Sequence, residues 1–463
     1  MPFTRRDFLR GSGLTATGLG LGRASWAGIA AAATAPAAAR QPAAAPHPAA
    51  TGETAPAFRP DDWASVRAQF RLAPDYAHLS SFFIASHPAP VRQAIETYRR
   101  ALDENPFGYL EGHMFEADKD KLWLHVCAAA AGYIGGAPDE IALTGSTTMG
   151  LALLYNGLRL KPGQEILTTV HDHYSHHESI RLAAEKWGGT VRKVALYDTG
   201  ATVSVDQVVS RLRAAVTPAV RVIGITWVHS STGVRLPIRA MADAIAAINH
   251  GRGEADRALL VVDGVHGLGA VDESVPSLGC DFFAAGTHKW IFAPRGTGLI
   301  WARPANWALV TPTIPSFMAD ESYLAWEDGR PPAGPTRASQ ASPGGFFAYE
   351  HQWATVEAFR FHQQIGRARI ADRIATLNGR LKEGLASMKH VTLHTPRDRS
   401  MSAGINAFEV RDHAPSDVVR TLLEHRIIAS TSPYKPTYPR LAAGIMNTPE
   451  EVAAALAVVR SMA

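Results

Sequence analysis

The stretch ALLVVDGVHGLGAVDESVPSLGCDFFAAGTHKWIFAPRGTGLIW, residues 258–301, decides the fold. Its first apolar run ends on Asp263, and a second run, Asp281–Ala285, leads directly into Gly-Thr-His-Lys. Continuous apolar runs of this length between turn residues are typical of strands buried on both faces of a parallel sheet. Ligands of such sheets bind beyond the carboxyl ends of the strands. The polar residues that we expect together on this edge of the sheet are Asp263, His266, Thr287 and Lys289.

A carboxylate and a lysine, each just past a strand end, suit the cofactor pyridoxal 5′-phosphate (PLP). PLP needs a lysine for its Schiff base, and an acidic residue that keeps its pyridine nitrogen protonated so that the ring acts as an electron sink. Lys289 and Asp263 are the candidates for these two roles. The alternative is a surface lysine and a strand-end aspartate that never meet, and the two residues alone do not decide between these interpretations.

Two short motifs, DGVHG at residues 263–267 and GTHKW at residues 286–290, place Asp263 and Lys289 26 positions apart. The pair resembles the class V aminotransferase family of PLP enzymes, which includes cysteine desulfurases, kynureninase and isopenicillin-N epimerase. The resemblance extends from about Asp75 to the C-terminus and is greatest for isopenicillin-N-epimerase-like proteins. It implies the α/β fold called PLP transferase fold type I. In that fold, a large domain has a mainly parallel, seven-stranded sheet sandwiched by helices, and a smaller α+β domain follows at the C-terminus.

Composition and charge narrow the class of protein. The chain has 463 residues, of which 46% are hydrophobic and 19% charged, so it can bury a core large enough for two or more domains. The formal net charge is +4 and no block of Lys or Arg occurs beyond the N-terminus, so nucleic acid is not indicated as a partner. The two cysteines, Cys127 and Cys280, cannot build a disulfide framework and are expected in the core.

The N-terminal region carries signals for targeting. Arg5-Arg6 followed by Phe-Leu, a short Gly-rich apolar run and a small-residue cleavage candidate predict a twin-arginine signal peptide over residues 1–27. The apolar run is too short to span a membrane. We therefore expect a periplasmic or otherwise exported protein, with the twin-arginine translocation machinery as its partner during export. The Ala/Pro-rich residues 28–60 predict a disordered linker.

The pattern of predicted elements sets the domain boundaries. A helix beginning after Asp61-Asp62 is expected within residues 61–75, packed on the small domain. Residues 76–305 alternate strands with helices and are expected to form the large PLP-binding domain. Residues 306–463 are expected to form the small domain. Its predicted elements are one long amphipathic helix that includes Val356–Leu385, strands over Ser402–Val410 and Ile427–Ser430, and helices over Pro415–His425 and from Pro449.

A turn of Gly-Ser-Thr-Thr, residues 145–148, opens a predicted helix directly after a short strand. Backbone N–H groups, hydroxyls and the positive end of the helix dipole make such a turn suitable for a phosphate group. Ordinary capping of the helix by Ser or Thr is the alternative. The family resemblance places the turn that binds the cofactor phosphate at Thr147 and Thr148.

Four histidines occur within seven residues, in the sequence HDHYSHH at residues 171–177. We predict no metal site, because no second cluster with metal-ligand spacing accompanies them. The resemblance aligns Asp172-His173 with an acidic residue and a histidine whose imidazole stacks on the pyridine ring of the cofactor. His176 and His177 are either groups on the substrate side or solvated loop residues.

Two segments are candidates for binding the substrate. The sequence His229-Ser230 lies three residues before Gly233, where related enzymes place an Asn that touches cofactor or substrate, so the role of this loop is open. Arg440 matches a family arginine that pairs with the substrate carboxylate, a task that suits the planar guanidinium. A solvated loop arginine is the alternative.

The resemblance implies an enzyme in which an amino acid displaces Lys289 from the cofactor and the freed Lys289 then takes the Cα proton. Return of the proton gives epimerisation or transamination, whereas loss of a β-substituent gives elimination. Cysteine desulfurization is not expected, because residues 429–434 contain no cysteine. A non-catalytic exported PLP- or amino-acid-binding protein is the rival from another class. A homodimer is expected, with Gly344-Gly345 reaching the phosphate of the partner.

Overall fold

Thirteen strands and fifteen α-helices form residues 57–463, the part of the chain that the computed structural model describes. The predicted signal peptide and nearly all of the predicted linker lie outside these residues. The strands are β1 (Ala77–His78), β2 (Ile141–Thr144), β3 (Glu165–Thr169), β4 (Thr190–Val194), β5 (Val220–Thr226), β6 (Leu259–Asp263), β7 (Phe282–Gly286), β8 (Gly298–Ala302), β9 (Val391–Leu393), β10 (Asn406–Val410), β11 (Ile427–Ile428), β12 (Ser430–Thr431) and β13 (Pro439–Leu441). The helices are α1 (Trp63–Ala68), α2 (Ala89–Glu104), α3 (Pro106–Met114), α4 (Leu122–Ile134), α5 (Thr147–Gly157), α6 (Tyr174–Trp187), α7 (Val205–Ala215), α8 (Ile238–Asn249), α9 (Pro304–Trp307), α10 (Asp320–Glu327), α11 (Ala338–Ala341), α12 (Tyr349–Ile365), α13 (Arg367–Ala386), α14 (Pro415–Glu424) and α15 (Pro449–Arg460). Within this part of the chain, no helix combines the length and apolarity needed to cross a membrane.

The large sheet has seven strands in the order β2-β8-β7-β6-β5-β3-β4. Strands β4, β3, β5, β6 and β7 are parallel, so their carboxyl ends meet at one edge. Strand β8 returns antiparallel to β7 and pairs with β2, also antiparallel. The predicted mainly parallel sheet is therefore confirmed, and the edge that β6 and β7 share is where the first polar residues were expected.

Helices cover both faces of this sheet, and β6 shows how the sequence directs them there. Leu260 and Val262 belong to a core shared with α4, α7, α8 and α12. Leu259 and Val261 belong to the opposite core, shared with α5 and α6. Successive side chains of a strand point to opposite faces, and full burial of each such side chain stabilises the fold by about 1.5–3 kcal/mol. The apolar run of β6 is continuous because its alternate side chains enter the cores on the two faces of the sheet. The predicted sandwich of the sheet between helices is therefore confirmed.

The small domain has an antiparallel sheet of order β12-β13-β10-β9 with α13, α14 and α15 packed on it. Helix α1 begins after Asp62, whose side chain accepts a hydrogen bond of 2.9 Å from the Ala64 main-chain N–H. Its Arg67 forms an ion pair of 2.6 Å with Glu451 at the start of α15. The N-terminal helix therefore contacts the small domain.

The packing divides the chain differently from the predicted boundaries at residues 76 and 305. Strand β1 pairs in parallel with β11 of the small domain, and Leu79 joins the core of that domain. Helix α12 packs instead on α2 and α4 of the large domain, because its apolar residues Trp353, Val356 and Phe359 belong to the core of that domain. The switch between domains after residue 305 thus falls between α12 and α13.

Two predicted elements of the small domain are wrong in detail. The long helix through Val356 and Leu385 is two helices, since Gly366 adopts φ 95° and ψ 127°, which ends α12 before α13 begins. The strand predicted over Ile427–Ser430 is split into β11 and β12, which pair with β1 and β13. The alternation of apolar residues cannot show that one extended segment divides between two sheets.

Candidate active site

Asp263 and Lys289 follow the neighbouring parallel strands β6 and β7. Asp263 is the last residue of β6 and is 3% exposed, and its Oδ1 accepts a hydrogen bond of 3.1 Å from the Val265 main-chain N–H. Lys289 lies in the loop after β7, with Nζ 3.2 Å from Nε2 of His266. The sheet edge thus brings together three of the four residues expected there.

The electrostatics of the site couple Asp263 to Lys289. Burial raises the pKa of Asp263, and the Lys289 charge opposes that shift. Burial likewise lowers the pKa of Lys289, which favours the neutral amine that acts as a nucleophile or base. The two residues follow adjacent, parallel strands at one edge of the sheet, which argues against the interpretation in which they never meet. Burial and the nearby cations Lys289 and Arg440 lower the pKa of His266 well below its ordinary value, so its imidazole is neutral.

Thr287, the fourth expected residue, has another partner. Its hydroxyl forms a hydrogen bond of 2.6 Å with that of Thr297, and its main-chain N–H donates to the Thr297 oxygen at 3.1 Å. The side chain is 1% exposed. These contacts hold the loop that carries Lys289 in place, and the predicted cofactor contact of Thr287 stays a prediction.

The Gly-Ser-Thr-Thr turn begins α5 at the same edge of the sheet. Ser146 caps the helix by accepting a hydrogen bond of 3.1 Å from the Met149 main-chain N–H. The Thr147 hydroxyl accepts one of 2.7 Å from the Gly286 main-chain N–H, which ties α5 to the end of β7, while Thr148 is exposed. Ser146 therefore caps the helix, and the predicted phosphate contacts of Thr147 and Thr148 stay predictions.

His173 occupies the N-cap position of α6. Its Nδ1 accepts a hydrogen bond of 3.2 Å from the Ser175 main-chain N–H and lies 2.9 Å from the Ser175 hydroxyl. Its ring meets that of Tyr434 edge-on, with centroids 6.0 Å apart and planes at 71°. Burial and the charges of Lys289 and Arg440 lower the pKa of His173, so a neutral imidazole faces these two cations. The stacking of the His173 ring on the cofactor stays a prediction.

Asp172 is the hub of a buried polar network behind His173. Its carboxylate accepts hydrogen bonds from the Thr168 hydroxyl at 2.9 Å and from the main-chain N–H groups of Thr169 and Thr226 at 2.8 and 2.9 Å. Although burial opposes ionisation, these donors and the flanking histidines hold the pKa of Asp172 well below its ordinary value. The sequence indicated an acidic residue here, but its anchoring of β3 to β5 depends on pairing between distant strands.

The remaining histidines of the 171–177 segment serve this network or the surface beside it. His176 is fully buried, and its Nε2 is 2.6 Å from the Tyr155 hydroxyl. His177 donates to the Thr169 main-chain oxygen at 2.7 Å and accepts from Lys193 at 3.2 Å. Both predicted roles for His176 are wrong, because helix α6 starts at Tyr174 and turns this side chain inward. Among residues 57–463, no group of three or more His, Cys, Asp or Glu side chains is placed to hold a metal ion.

His229 also belongs to the buried network. Its Nδ1 lies 2.8 Å from the Tyr197 hydroxyl and its Nε2 3.8 Å from Asp172. The side chain has no exposed surface, and burial lowers its pKa to about 3, so it is neutral. A substrate group would have to displace Tyr197 or Asp172 to reach it, so the structure does not place His229 on the substrate side.

Arg440 lies on β13 and is 3% exposed, which excludes the solvated-loop interpretation. Its guanidinium donates hydrogen bonds to the main-chain oxygens of Ser230 and Thr431, at 2.6 and 2.8 Å. Its Cζ lies 4.7 Å from the centre of the Phe82 ring. Burial lowers its pKa to about 10, so the group remains a cation at neutral pH. Residue 230, where related enzymes have an Asn, thus has a role through its main chain, because the Ser230 oxygen positions Arg440.

Tyr434 is a site residue that the sequence did not single out. Its hydroxyl forms a hydrogen bond of 2.7 Å with that of Ser230, and its ring contacts His173. Burial raises the pKa of Tyr434 to about 12, so the hydroxyl stays protonated. Tyr434 lies six residues before Arg440, in the segment 429–434 that contains no cysteine. Its position just before the predicted carboxylate-binding arginine is the sequence signal that could have identified it.

Gly344 and Gly345 lie in the loop before α12. The Gly344 main-chain N–H donates a hydrogen bond of 2.7 Å to the Pro315 oxygen, and Gly345 adopts φ 108°. A Cβ on Gly344 would lie 2.6 Å from the Pro315 oxygen, so this loop requires a glycine there. The predicted contact with a partner's phosphate stays a prediction.

The residues at this edge of the sheet fit PLP. A buried carboxylate, an amine of lowered pKa, a neutral imidazole and a hydroxyl-bearing helix N-terminus converge there. His266 Nδ1 and Arg440 Nε are buried without a hydrogen-bond partner in the described part of the chain, which is expected where a polar ligand completes a site. The fold and this set of side chains define a PLP-dependent enzyme of fold type I.

Comparison with known proteins identifies the family. The sequence profile described as Aminotransferase class-V matches residues 85–434, so the chain belongs to that family, and its cofactor is PLP. The chain is 26% identical over 402 residues to isopenicillin N epimerase of Streptomyces clavuligerus, covering 84% of this chain and 96% of the relative. It is 22% identical over 373 residues to a protein of Pyrococcus abyssi named "Probable cysteine desulfurase", covering 80% and 86% of the two chains.

Solved structures share the fold at low identity. A variant of C-DES with glycine covalently linked to the PLP cofactor superposes with a TM-score of 0.73 at 21% identity, covering 85% of this chain and 98% of the other. The apo cysteine desulfurase of Thermococcus onnurineus gives 0.71 at 21% identity, covering 86% and 97%. These structural similarities establish the fold of the chain.

Proposed function

We propose that the protein acts at Cα of an amino acid, with Lys289 as the base that removes and returns the Cα proton, in an epimerisation or a transamination. The observation that supports this most strongly is the Lys289 amine, whose pKa is lowered by burial and which lies 3.2 Å from the neutral imidazole of His266. An amine in this state accepts a proton readily at neutral pH.

Each neighbouring residue has a proposed task. When bound, PLP supplies an electron sink for the negative charge left at Cα. Asp263, at the end of β6, would keep a proton at the pyridine nitrogen, and the neutral ring of His173 would help to hold the cofactor. Arg440 orients the substrate carboxylate, since its guanidinium is already fixed by the Ser230 and Thr431 oxygens. Water is displaced from Lys289 by the bound substrate, which strengthens these interactions.

A desulfurase that forms a persulfide on its own cysteine is not supported. Cys127 and Cys280 are 1% and 6% exposed and belong to the core between the large sheet and its helices. Burial raises the pKa of Cys127 to about 12 and also raises that of Cys280, which leaves both as unreactive thiols. The segment before Arg440 contributes Tyr434 in place of a thiol.

A second candidate function is β-elimination from an amino acid that carries a leaving group on Cβ. It begins with the same proton removal by Lys289 and needs no protein thiol. The relatives named "Probable cysteine desulfurase" support it, since cysteine carries a substituent on Cβ. A non-catalytic exported binding protein is the remaining alternative, and it would retain PLP and bind amino acids without turnover.

One screen tests these proposals together. Holoprotein is incubated in D₂O with D- and L-amino acids, and the Cα deuterium content, the chirality of the product and the formation of α-keto acid are followed in parallel. Exchange with inversion supports epimerisation, keto acid with loss of the yellow colour of the cofactor supports transamination, and keto acid with release of the β-substituent supports elimination. Amino-acid binding without any exchange would refute the enzyme proposal.

We also propose that the protein is exported through the twin-arginine pathway and acts in the periplasm as a homodimer. The support is Arg5-Arg6 with its Gly-rich apolar run, which lies outside residues 57–463. For the dimer, the support is the family and the exposed aromatic residues Phe346 and Phe347 beside Gly344-Gly345.

A further inference from the structure

A cavity of about 680 Å³ opens beside Arg440, between residues 78–86 and the small domain. None of its sixteen lining residues is Asp or Glu, whereas two are arginines and five carry hydroxyl groups. Arg440 is the buried arginine of this cavity and Arg295 the exposed one. A pocket with two cations and no lining carboxylate attracts anions.

Two residues that line this cavity each have a buried polar atom without a hydrogen-bond partner within the described residues. These atoms are Nε of Arg440 and the hydroxyl oxygen of Ser430. Leaving a buried donor unsatisfied is unfavourable, and more so when the donor is charged. A ligand that accepts hydrogen bonds beside Arg440 would satisfy the guanidinium, and the α-carboxylate of an amino acid is such a group.

Arg295 lies six residues after Lys289, in the loop between β7 and β8. Its main-chain oxygen accepts a hydrogen bond of 3.1 Å from His351, whereas its guanidinium makes no hydrogen bond or ion pair with the residues that the structure describes. Its positive charge still acts on the surroundings, because it helps to lower the pKa of His87 to about 4, although burial is the larger cause. The cation is thus free to meet an anionic ligand.

One part of the cavity wall, residues 83–85, is apolar and is hydrogen-bonded to the loop that carries Lys289. Phe83 and Ile84 are 68% and 47% exposed and line the cavity. The Ala85 main-chain N–H donates a hydrogen bond of 3.3 Å to the oxygen of His288, the residue before Lys289. The apolar part of the cavity wall therefore adjoins the loop that carries Lys289.

We propose that this cavity holds the side chain of an amino acid that carries a second carboxylate, with Arg440 on the α-carboxylate and Arg295 as the cation that selects the distal one. The inference rests on the proposed function, since it assigns the substrate class of the same site. It also explains why both a buried and an exposed arginine line one cavity from which acidic residues are absent.

The test compares side chains of equal size and different charge. Holoenzyme is titrated with glutamate and with glutamine, in both enantiomers, and the change in the visible absorption of the bound cofactor gives the affinity. At low salt we expect glutamate to bind up to about fivefold more tightly than glutamine, because Arg295 is exposed and an exposed ion pair is worth roughly 1 kcal/mol at most. The advantage should fall as salt is added.

Two variants and a matched control complete the experiment. Arg295→Gln should abolish the preference for glutamate without changing the affinity for glutamine, and Arg295→Glu should favour glutamine over glutamate. Arg303→Gln, an exposed arginine at the opposite end of β8 that does not line the cavity, should behave as wild type. Equal binding of glutamate and glutamine by wild type, or a preference that survives Arg295→Gln, would overturn the inference. Failure of the proposed function is distinct, because then no amino acid would show Cα exchange.

Discussion

The Arg440 guanidinium donates a hydrogen bond of 2.6 Å to the main-chain oxygen of Ser230, which joins the small domain to the loop after β5. A second N–H of the same group is held by Thr431 at 2.8 Å. The arginine is therefore oriented before any substrate arrives, and binding loses less side-chain entropy. The contact also makes the substrate side of the site dependent on the relative position of the two domains.

Arg440→Lys tests this preorganised cation. The ammonium keeps the charge but not the fork, and the loss of one charged hydrogen bond should weaken amino-acid binding by about ten- to a hundredfold, from roughly 1.5–3 kcal/mol. The residue is buried, so some loss of thermal stability is expected, while PLP occupancy should be retained. The control is Arg420→Lys, an exposed arginine on α14. Unchanged amino-acid affinity in Arg440→Lys would place the carboxylate elsewhere.

Asp263→Asn tests the role of the carboxylate at the end of β6. An amide is nearly isosteric and can still accept the hydrogen bond from Val265, so folding and PLP binding should persist. It cannot hold a proton on the pyridine nitrogen by charge, so exchange of the Cα proton should slow severely. Mass spectrometry of substrate recovered from D₂O measures this rate, and a rate equal to that of wild type would contradict the assignment.

Tyr434 and Ser230 offer a test of coupling within the site. Tyr434→Phe removes the hydroxyl that lies 2.7 Å from the Ser230 hydroxyl but keeps the ring against His173. Each of Tyr434→Phe and Ser230→Ala should lower turnover several-fold, and the double variant should lose little more than either one. An interaction energy of about 0.5–3 kcal/mol is expected from the cycle. Strict additivity would show that this hydrogen bond does not matter to the reaction.

The buried histidines predict loss of stability in mild acid. Burial lowers the pKa of His176 to about 4, below its ordinary value of 6.5, so the unfolded chain binds more protons between these values and stability falls as pH drops through that window. His176→Gln should therefore flatten the decrease in Tm between about pH 6.5 and pH 4, by roughly 1–3 kcal/mol in free energy of unfolding. His177→Gln, on the same helix but not fully buried, is the control and should leave the slope unchanged. A His176→Gln slope equal to that of wild type would contradict this account.

Export can be tested apart from chemistry. Arg5-Arg6→Lys-Lys should leave the precursor in the cytoplasm, folded and still coloured by its cofactor, because the twin-arginine pathway carries folded proteins and depends on this pair. Fractionation followed by an absorption spectrum measures both properties. Normal accumulation of the variant in the periplasm would remove the twin-arginine interpretation.

The sequence predicted the large domain well because its signals are local. The apolar runs that end at Asp263 and Gly286 required a doubly covered parallel sheet, and strand ends in such a sheet meet at one edge. Asp263 and Lys289 were therefore found without a structure. Ser146 as a helix cap follows from the same local logic.

The parts that could not be predicted depend on long-range pairing. His229 follows a strand and looked accessible, but Tyr197 and Asp172, which come from other strand ends, enclose it. His176 was expected either on the substrate side or in a solvated loop, because no strong capping pattern marks the start of α6 at Tyr174. Tyr434 gained its role only when β12 and β13 brought it against His173.

The central claim is that Lys289 exchanges the Cα proton of an amino acid, and it is tested most directly by deuterium incorporation with Lys289→Ala as comparison. Wild-type holoprotein should show the visible absorption of lysine-bound PLP and should incorporate deuterium at Cα in D₂O. Lys289→Ala should lose that absorption and should bind amino acids through added PLP with exchange slowed by several orders of magnitude. Exchange in the variant at the wild-type rate, or a wild type that neither binds PLP nor exchanges the Cα proton of any amino acid, would contradict the account.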